Sequence, residues 1–176
     1  MKSSLRLFIY FIVSLLCVAA LSSCSSHRKT VRHKRPRKPK IETIHVSRPG
    51  KVRSSIASEA MTWLGTPYRY AAQEKGVGTD CSGMVLRVYE DVIGVKMPRN
   101  SAKQAEFCKK IDPDDVEVGD LVFFATGKDP NRISHVGIVL DDNRFIHAST
   151  SKGVVISDLY TPYYIRTFMM FGRVPR

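Results

Sequence analysis

His135-Val136-Gly137-Ile138-Val139-Leu140-Asp141-Asp142-Asn143-Arg144-Phe145-Ile146-His147-Ala148-Ser149 reads as two strands around a polar turn. β-Branched and apolar residues fill 135–140 and 144–149, and Asp141-Asp142-Asn143 supplies the turn chemistry between them. If those three residues form the loop, Val139 faces Phe145 and His135 faces Ser149. His147 then lies two residues from the partner of His135, so both histidines project from one face. A diagonal pair of that kind has its Cα atoms about 7–8 Å apart, within reach of two long side chains. A two-residue loop would put them on opposite faces. The hairpin therefore has to have an odd-length loop, and Asn143 suits a left-handed final loop position.

Further short strands are expected at 121–125, 154–157 and 167–174. Helices precede them. Ser54 or Ser55 can cap a helix with Ile56, Ala57, Ala60, Trp63 and Leu64 on one face, and Gly65 ends it. A second helix runs from near Cys81 to about Val92, with Met84, Val85 and Val88 at helical spacing and Gly94 as its stop. A short third helix follows Pro98, with Ser101 and Gln104 placed as a capping box. The acidic stretch 112–120 is turn-rich, and Glu117 stands where a calcium loop needs glycine. Helices first and strands later argue for an α+β fold, with N-terminal helices packed on an antiparallel β-sheet.

Charge is divided sharply along the chain. The 176 residues hold 28 Lys+Arg against 16 Asp+Glu, a net charge of +12. Residues 1–53 contain 13 of those cations and one acid, Glu42, so the rest of the chain is neutral. A basic segment on a neutral body is a poor case for a nucleic-acid surface. The front also reads as an export signal. Lys2 and Arg6 precede an apolar run over 7–21, short for a membrane span and fitting a secretory h-region. A short membrane anchor is the alternative. Leu21-Ser22-Ser23-Cys24 resembles a bacterial lipobox, in which the cysteine becomes the lipidated N-terminus. Residues 1–23 are then a lipoprotein signal, and residues 24–53 a lipidated Cys24 followed by a basic, disordered tether. His27, His33 and His45 read as linker residues. The tether could also adhere to an anionic polymer. Ser25 and Ser26 are not acidic, which by resemblance to bacterial sorting points to the outer membrane, facing the periplasm. Residues 54–176 form the expected folded domain.

That domain holds Cys81 and Cys108, His135 and His147. Cys81 falls at the first turn of the second helix, where the helix dipole and unpaired N–H groups favour a thiolate. The same N–H groups could stabilise an oxyanion. A buried core cysteine fits the same apolar spacing, and a zinc site of one cysteine and two histidines is a further alternative. Two histidines on one strand face favour a nucleophile, a base and an orienting group. Cys108 reads as a packing residue, with both thiols free.

Five motifs in order resemble those of the NlpC/P60 cysteine peptidases. They are Trp63-Leu64-Gly65-Thr66-Pro67-Tyr68-Arg69-Tyr70, Thr79-Asp80-Cys81-Ser82-Gly83, Gly119-Asp120-Leu121-Val122-Phe123-Phe124, His135-Val136-Gly137-Ile138-Val139 and Phe145-Ile146-His147-Ala148-Ser149. Within that family the chain is most similar to lipoprotein murein endopeptidases, which share a stretch like Ser149-Thr150-Ser151-Lys152-Gly153. The resemblance implies a papain-like fold and a triad of Cys81 as nucleophile, His135 as base and His147 as orienting residue. It implies Tyr68, Asp80, Ser82 and, more weakly, Arg99 as substrate-binding residues. The implied partner is peptidoglycan, cut in its stem peptides or crosslinks by a monomer with no metal or cofactor. Membrane contact would come through the N-terminal lipid, with no nucleic acid involved. Ala71-Ala72 replaces the Gly-Gly common in the family, which bears on groove width. An amidase or acyltransferase on another substrate, or a non-catalytic wall-binding module, would share this fold.

Overall fold

A computed structural model describes residues 50–175. The expected signal, Cys24, the three linker histidines and nearly all of the tether lie outside the described residues. Helix α1 spans Lys51–Met61. It starts three residues before the expected domain boundary, and Arg53 explains why. The Arg53 guanidinium donates to Asp120 Oδ1 at 2.9 Å and to the Val118 carbonyl at 3.2 Å, and it pairs with Glu117 at 2.5 Å. Arg53 is therefore part of the folded body rather than of the tether. Gly50 occupies the N-cap with no side-chain cap. Ser54 and Ser55 lie inside the helix and return their hydroxyls to the carbonyls of Gly50 and Lys51. Ile56 and Ala60 face inward; Trp63 is buried beyond the helix end, and Leu64 turns out to solvent.

Strands β1 (Gln73–Glu74) and β2 (Gly78–Thr79) form a small antiparallel ribbon ahead of helix α2, Cys81–Ile93. The α2 stripe of Met84, Val85 and Val88 is fully buried, and Gly94 closes the helix in the left-handed conformation at φ 69°. Helix α3, Ser101–Phe107, differs from expectation at its cap. Asn100 Oδ1 accepts the Lys103 N–H at 2.9 Å, which leaves Ser101 inside the helix. Gln104 turns into the core and donates to the carbonyls of Ser82 and Pro98, both at 2.9 Å.

Strand β3 (Lys109–Ile111) and a 3₁₀ turn (Pro113–Asp115) follow. Then come β4 (Leu121–Phe124), β5 (His135–Val139), β6 (Arg144–Ser149) and β7 (Gly153–Asp158). A short helix α4 (Pro162–Thr167) leads into β8 (Phe168–Arg173). One antiparallel sheet results, in the order β3-β8-β4-β5-β6-β7. Strand β4 shows why its sequence is apolar throughout. Leu121 and Phe123 pack with α1 and α2, while Val122 and Phe124 join a second core with Val139, Phe145, Phe168 and Phe171. Both faces are covered, so alternation disappears.

In the β5–β6 hairpin, Val139 pairs with Phe145 and Ile138 with Ile146, the register that an odd loop requires. The turn chemistry is not the expected one. Among the described residues the only non-glycine at positive φ is Ala71, so Asn143 is not left-handed. Instead the Asp141 carboxylate accepts the N–H groups of Asn143 and Arg144 at 3.2 and 2.9 Å and pairs with the Arg144 guanidinium.

Candidate active site

Cys81 is the first residue of α2, and a buried polar cluster fixes it there. The Asp80 carboxylate caps the helix by accepting the Gly83 N–H at 2.8 Å. It also accepts the Ala71 N–H at 2.9 Å and the Ser82 hydroxyl at 3.1 Å. Arg99 grips both its oxygens with two nitrogens, each at 2.9 Å. Burial opposes ionisation of Asp80, but the Arg99 fork and the Gly83 N–H outweigh it and hold the carboxyl below its ordinary value. Gly83 is required by close approach: a Cβ there would lie 2.3 Å from the Ala72 carbonyl oxygen. Ala71 adopts φ 60° to bring its N–H onto Asp80, a conformation that costs an alanine about 1 kcal/mol.

These contacts give three of the expected substrate-binding residues a structural task. Asp80 and Ser82 are 6% and 5% exposed, and their polar atoms are engaged internally. Arg99 is committed to Asp80, Ser82 and the Ala72 carbonyl. Asp80 and Ser82 are thereby tied into the turn that carries Cys81, and Arg99, with a side chain 37% exposed, is held against them. Tyr68 differs: it is half-buried and bridges to Thr79. Burial raises its phenol, as do the Cys81 and Asp80 charges.

The histidines meet as the hairpin register requires. His135 Nε2 and His147 Nδ1 are 2.8 Å apart, with the rings nearly perpendicular at 86°. His147 is 2% exposed and stacks on Phe145 at 4.8 Å. Its Nε2 lies 3.0 Å from Ser157 Oγ and 3.1 Å from the Tyr164 hydroxyl. Both His147 nitrogens are thus committed to protein groups. The backbone N–H groups of Val136, adjacent to His135, of Ser82 and of Cys81 itself favour the ionised form of the Cys81 thiol. Cys81 thus feels β5 at the residue after His135, and of the two His135 nitrogens Nε2 is the one engaged by His147. Cys108 is a second free thiol, buried in the core. Among the described residues, no group of three His, Cys, Asp or Glu is placed to hold a metal ion.

Ser157 and Tyr164 were not anticipated. Ser157 was within reach of the same register reasoning: His147 pairs with Val155, so Ser157 is its diagonal neighbour on the same face. Tyr164 comes from α4, a six-residue helix with no periodicity to reveal it.

Residues 65–173 match the NlpC/P60 family. This chain belongs to the NlpC/P60 family. It is 36% identical over 164 residues to the probable endopeptidase NlpC of Escherichia coli K12, covering 93% of this chain and 99% of the relative. It is 37% identical over 123 residues to the Escherichia coli K12 protein named murein DD-endopeptidase MepS/murein LD-carboxypeptidase, covering 70% of this chain and 63% of that one. The crystal structure of an NlpC/P60 family protein from Bacillus cereus superposes with a TM-score of 0.64 at 29% identity. That superposition covers 73% of this chain and 41% of the other, so this chain spans under half of that protein.

Electrostatics in this NlpC/P60 site run against the simple helix-dipole expectation. Burial, reinforced by the Asp80 carboxylate, pushes the Cys81 thiol up to about 11, against the three N–H groups that would lower it. Burial pushes His135 down to about 4. Burial, with His135 next to it, pushes His147 down to about 3. Near neutral pH the resting site therefore holds a thiol and two neutral imidazoles. A raised thiol value means that the thiolate fraction grows about tenfold per pH unit below it. Iodoacetamide labelling of Cys81, followed by peptide mapping, is expected to rise about tenfold per unit between roughly pH 6 and 9. A rate that is flat across that range would show a standing thiolate. Cys108 will not compete, since burial pushes its thiol up to about 12.

Proposed function

We propose that this chain is a cell-wall cysteine endopeptidase that hydrolyses amide bonds in peptidoglycan stem peptides or crosslinks, with Cys81, His135 and His147 as its triad. The observation that carries this reading is the 2.8 Å contact between the two histidines, beside a cysteine at a helix start. The names of the relatives, endopeptidases and a murein endopeptidase, supply the substrate class.

The mechanism follows from the hydrogen bonds. For His135 Nδ1 to accept a proton, Nε2 must carry the hydrogen and donate it to His147 Nδ1. His147 then carries its own hydrogen on Nε2, facing Ser157 and Tyr164. As Cys81 Sγ attacks the amide carbonyl, its proton passes to His135 Nδ1. Negative charge moves to the carbonyl oxygen, where the N–H groups of Cys81 and Ser82 can receive it. His135 next protonates the leaving nitrogen, and the C–N bond breaks to give a thioester on Cys81 and a free amine. Water, losing a proton to His135, attacks the thioester and releases a carboxylate. The thiol is regenerated with its proton. Because His147 is neutral, it stabilises the imidazolium by a hydrogen bond rather than by a charge.

Localisation is part of the same proposal. A lipid on Cys24 and a basic tether would hold the domain at the periplasmic face of the outer membrane, next to an anionic polymer. The test is mass spectrometry of products from intact crosslinked peptidoglycan digested by the full-length protein. Paired new amines and carboxylates are the expected result. Transfer of the acyl half to another acceptor would favour an acyltransferase instead, and no change at all would leave only wall binding.

A further inference from the structure

A cleft of about 440 Å³ opens beside the histidine pair and extends along β6 and β7 towards α4. His135, His147, Ser157 and Tyr164 form its inner wall, and residues 149–152 form its rim. Cys81 and Tyr68 do not line it. This matters for direction. The acyl half of a substrate stays with the sulfur and the helix-start N–H groups, whereas the leaving nitrogen takes its proton from His135. A cleft on the imidazole side is therefore the place for the leaving half.

The lining of this cleft includes no acid and one full cation, Lys152. The Lys152 side chain is exposed and makes no hydrogen bond or ion pair among the described residues. Hydroxyl-bearing residues line the same cleft, among them Ser149 and Ser151, whose oxygens are 3.3 Å apart. The turn that carries Lys152 is held firmly at its base. Ser149 pairs with Gly153, the Val154 N–H donates to the Thr66 carbonyl at 2.8 Å, and the Gly65 N–H donates to the Val154 carbonyl at 2.9 Å. Gly153 sits at φ 71° so close to Thr66 that a Cβ would lie 2.4 Å from its carbonyl oxygen. The backbone that carries the lysine is thus anchored at the edge of the cleft, and its side chain is free to reach the leaving-group side.

We propose that Lys152 and the hydroxyl-rich turn around it form a subsite for a free carboxylate on the leaving residue. This assignment rests on the peptidase reading and adds a preference to it: the amine released is that of an amino acid whose own carboxyl is unblocked. A lone cation among hydroxyl donors suits a carboxylate, since charge-assisted hydrogen bonds are about twice as strong as neutral ones. Exposure limits the effect, and salt screens it.

The test uses the full-length protein and two synthetic stem peptides that differ only in the leaving residue, which ends in a free carboxylate or in a carboxamide. Wild type is expected to cleave the acid with a kcat/KM about tenfold higher, with the preference shrinking in molar salt. Lys152→Met is expected to lower cleavage of the acid to about the level of the carboxamide. Lys152→Arg is expected to keep most of the preference, and Lys152→Glu to reverse it. Equal rates on both peptides in wild type, or an unchanged ratio in Lys152→Met, overturn the subsite while leaving the peptidase reading intact. Cleavage of neither peptide by wild type overturns the peptidase reading and the subsite with it.

Discussion

Cys81→Ala is expected to lower kcat/KM on muropeptides by about 10⁴-fold or more, with the protein still folded. The side chain is largely buried at a helix start, and alanine is a good helix residue there. The Asp80, Ser82 and Arg99 support is made by other side chains and survives the change. His135→Ala is expected to cost nearly as much, because it removes the group that takes the thiol proton during attack and delivers it to the leaving nitrogen. The double variant is expected to lose little beyond either single one, since a nucleophile and its base act as a unit. His147→Ala is expected to cost less, about 10²-fold, because it removes an orienting hydrogen bond and not a reacting group. Steady-state kinetics on one defined muropeptide check the whole series. Additive losses in the double variant would contradict a coupled pair.

Asp120→Ala is expected to have the largest effect on stability. This carboxylate is 1% exposed and ties two distant parts of the chain to its own turn. Arg53 of α1 reaches it at 2.9 Å, Arg173 of β8 at 3.0 and 2.7 Å, and the Glu117 N–H at 2.8 Å. The Tyr89 hydroxyl donates to the neighbouring Gly119 carbonyl, so the knot also reaches α2. Removing one member of a buried ion-pair group leaves the others uncompensated, at a cost of about 3–5 kcal/mol. Arg173 is 30% exposed and Glu117 remains to pair with both arginines, which favours the lower end. About 3 kcal/mol corresponds to a fall in Tm of roughly 10 °C for a domain of this size. Urea unfolding and calorimetry measure it directly. A loss below about 1 kcal/mol would mean that the knot is held by packing and not by Asp120.

Particular residues show how much of this was legible in the sequence. Period-two alternation and one turn length carried the β5–β6 register and the histidine contact, because a strand's faces are fixed by counting. Helix α2 was equally clear from its buried stripe and Gly94. The caps were less legible. Asn100 and Ser101 are adjacent and both are good N-caps, and the choice between them depends on where Pro98 and Gln104 settle in three dimensions. Asp80, Ser82 and Arg99 were located as a group, but the hydrogen bonds that join them were not legible. A charge beside a nucleophile reads as substrate-facing unless its partner is known, and Arg99 lies 19 residues from Asp80. Asp120 falls in a family motif, yet its role depends on Arg53, which resembled the basic tether around it. The Cys81 proton followed a similar pattern. The helix start was visible in the sequence, but the desolvation that overrides it is a property of the packed site.

Cys81 as nucleophile is tested most directly by trapping its acyl intermediate. The full-length protein is mixed with a defined dimeric muropeptide, quenched in acid within the first turnovers, and mapped by peptide mass spectrometry. The expected result is the acyl half of the substrate on the Cys81 peptide, as a thioester that hydroxylamine removes. An acyl group on a different residue, or product formed at the wild-type rate by Cys81→Ala, would contradict it.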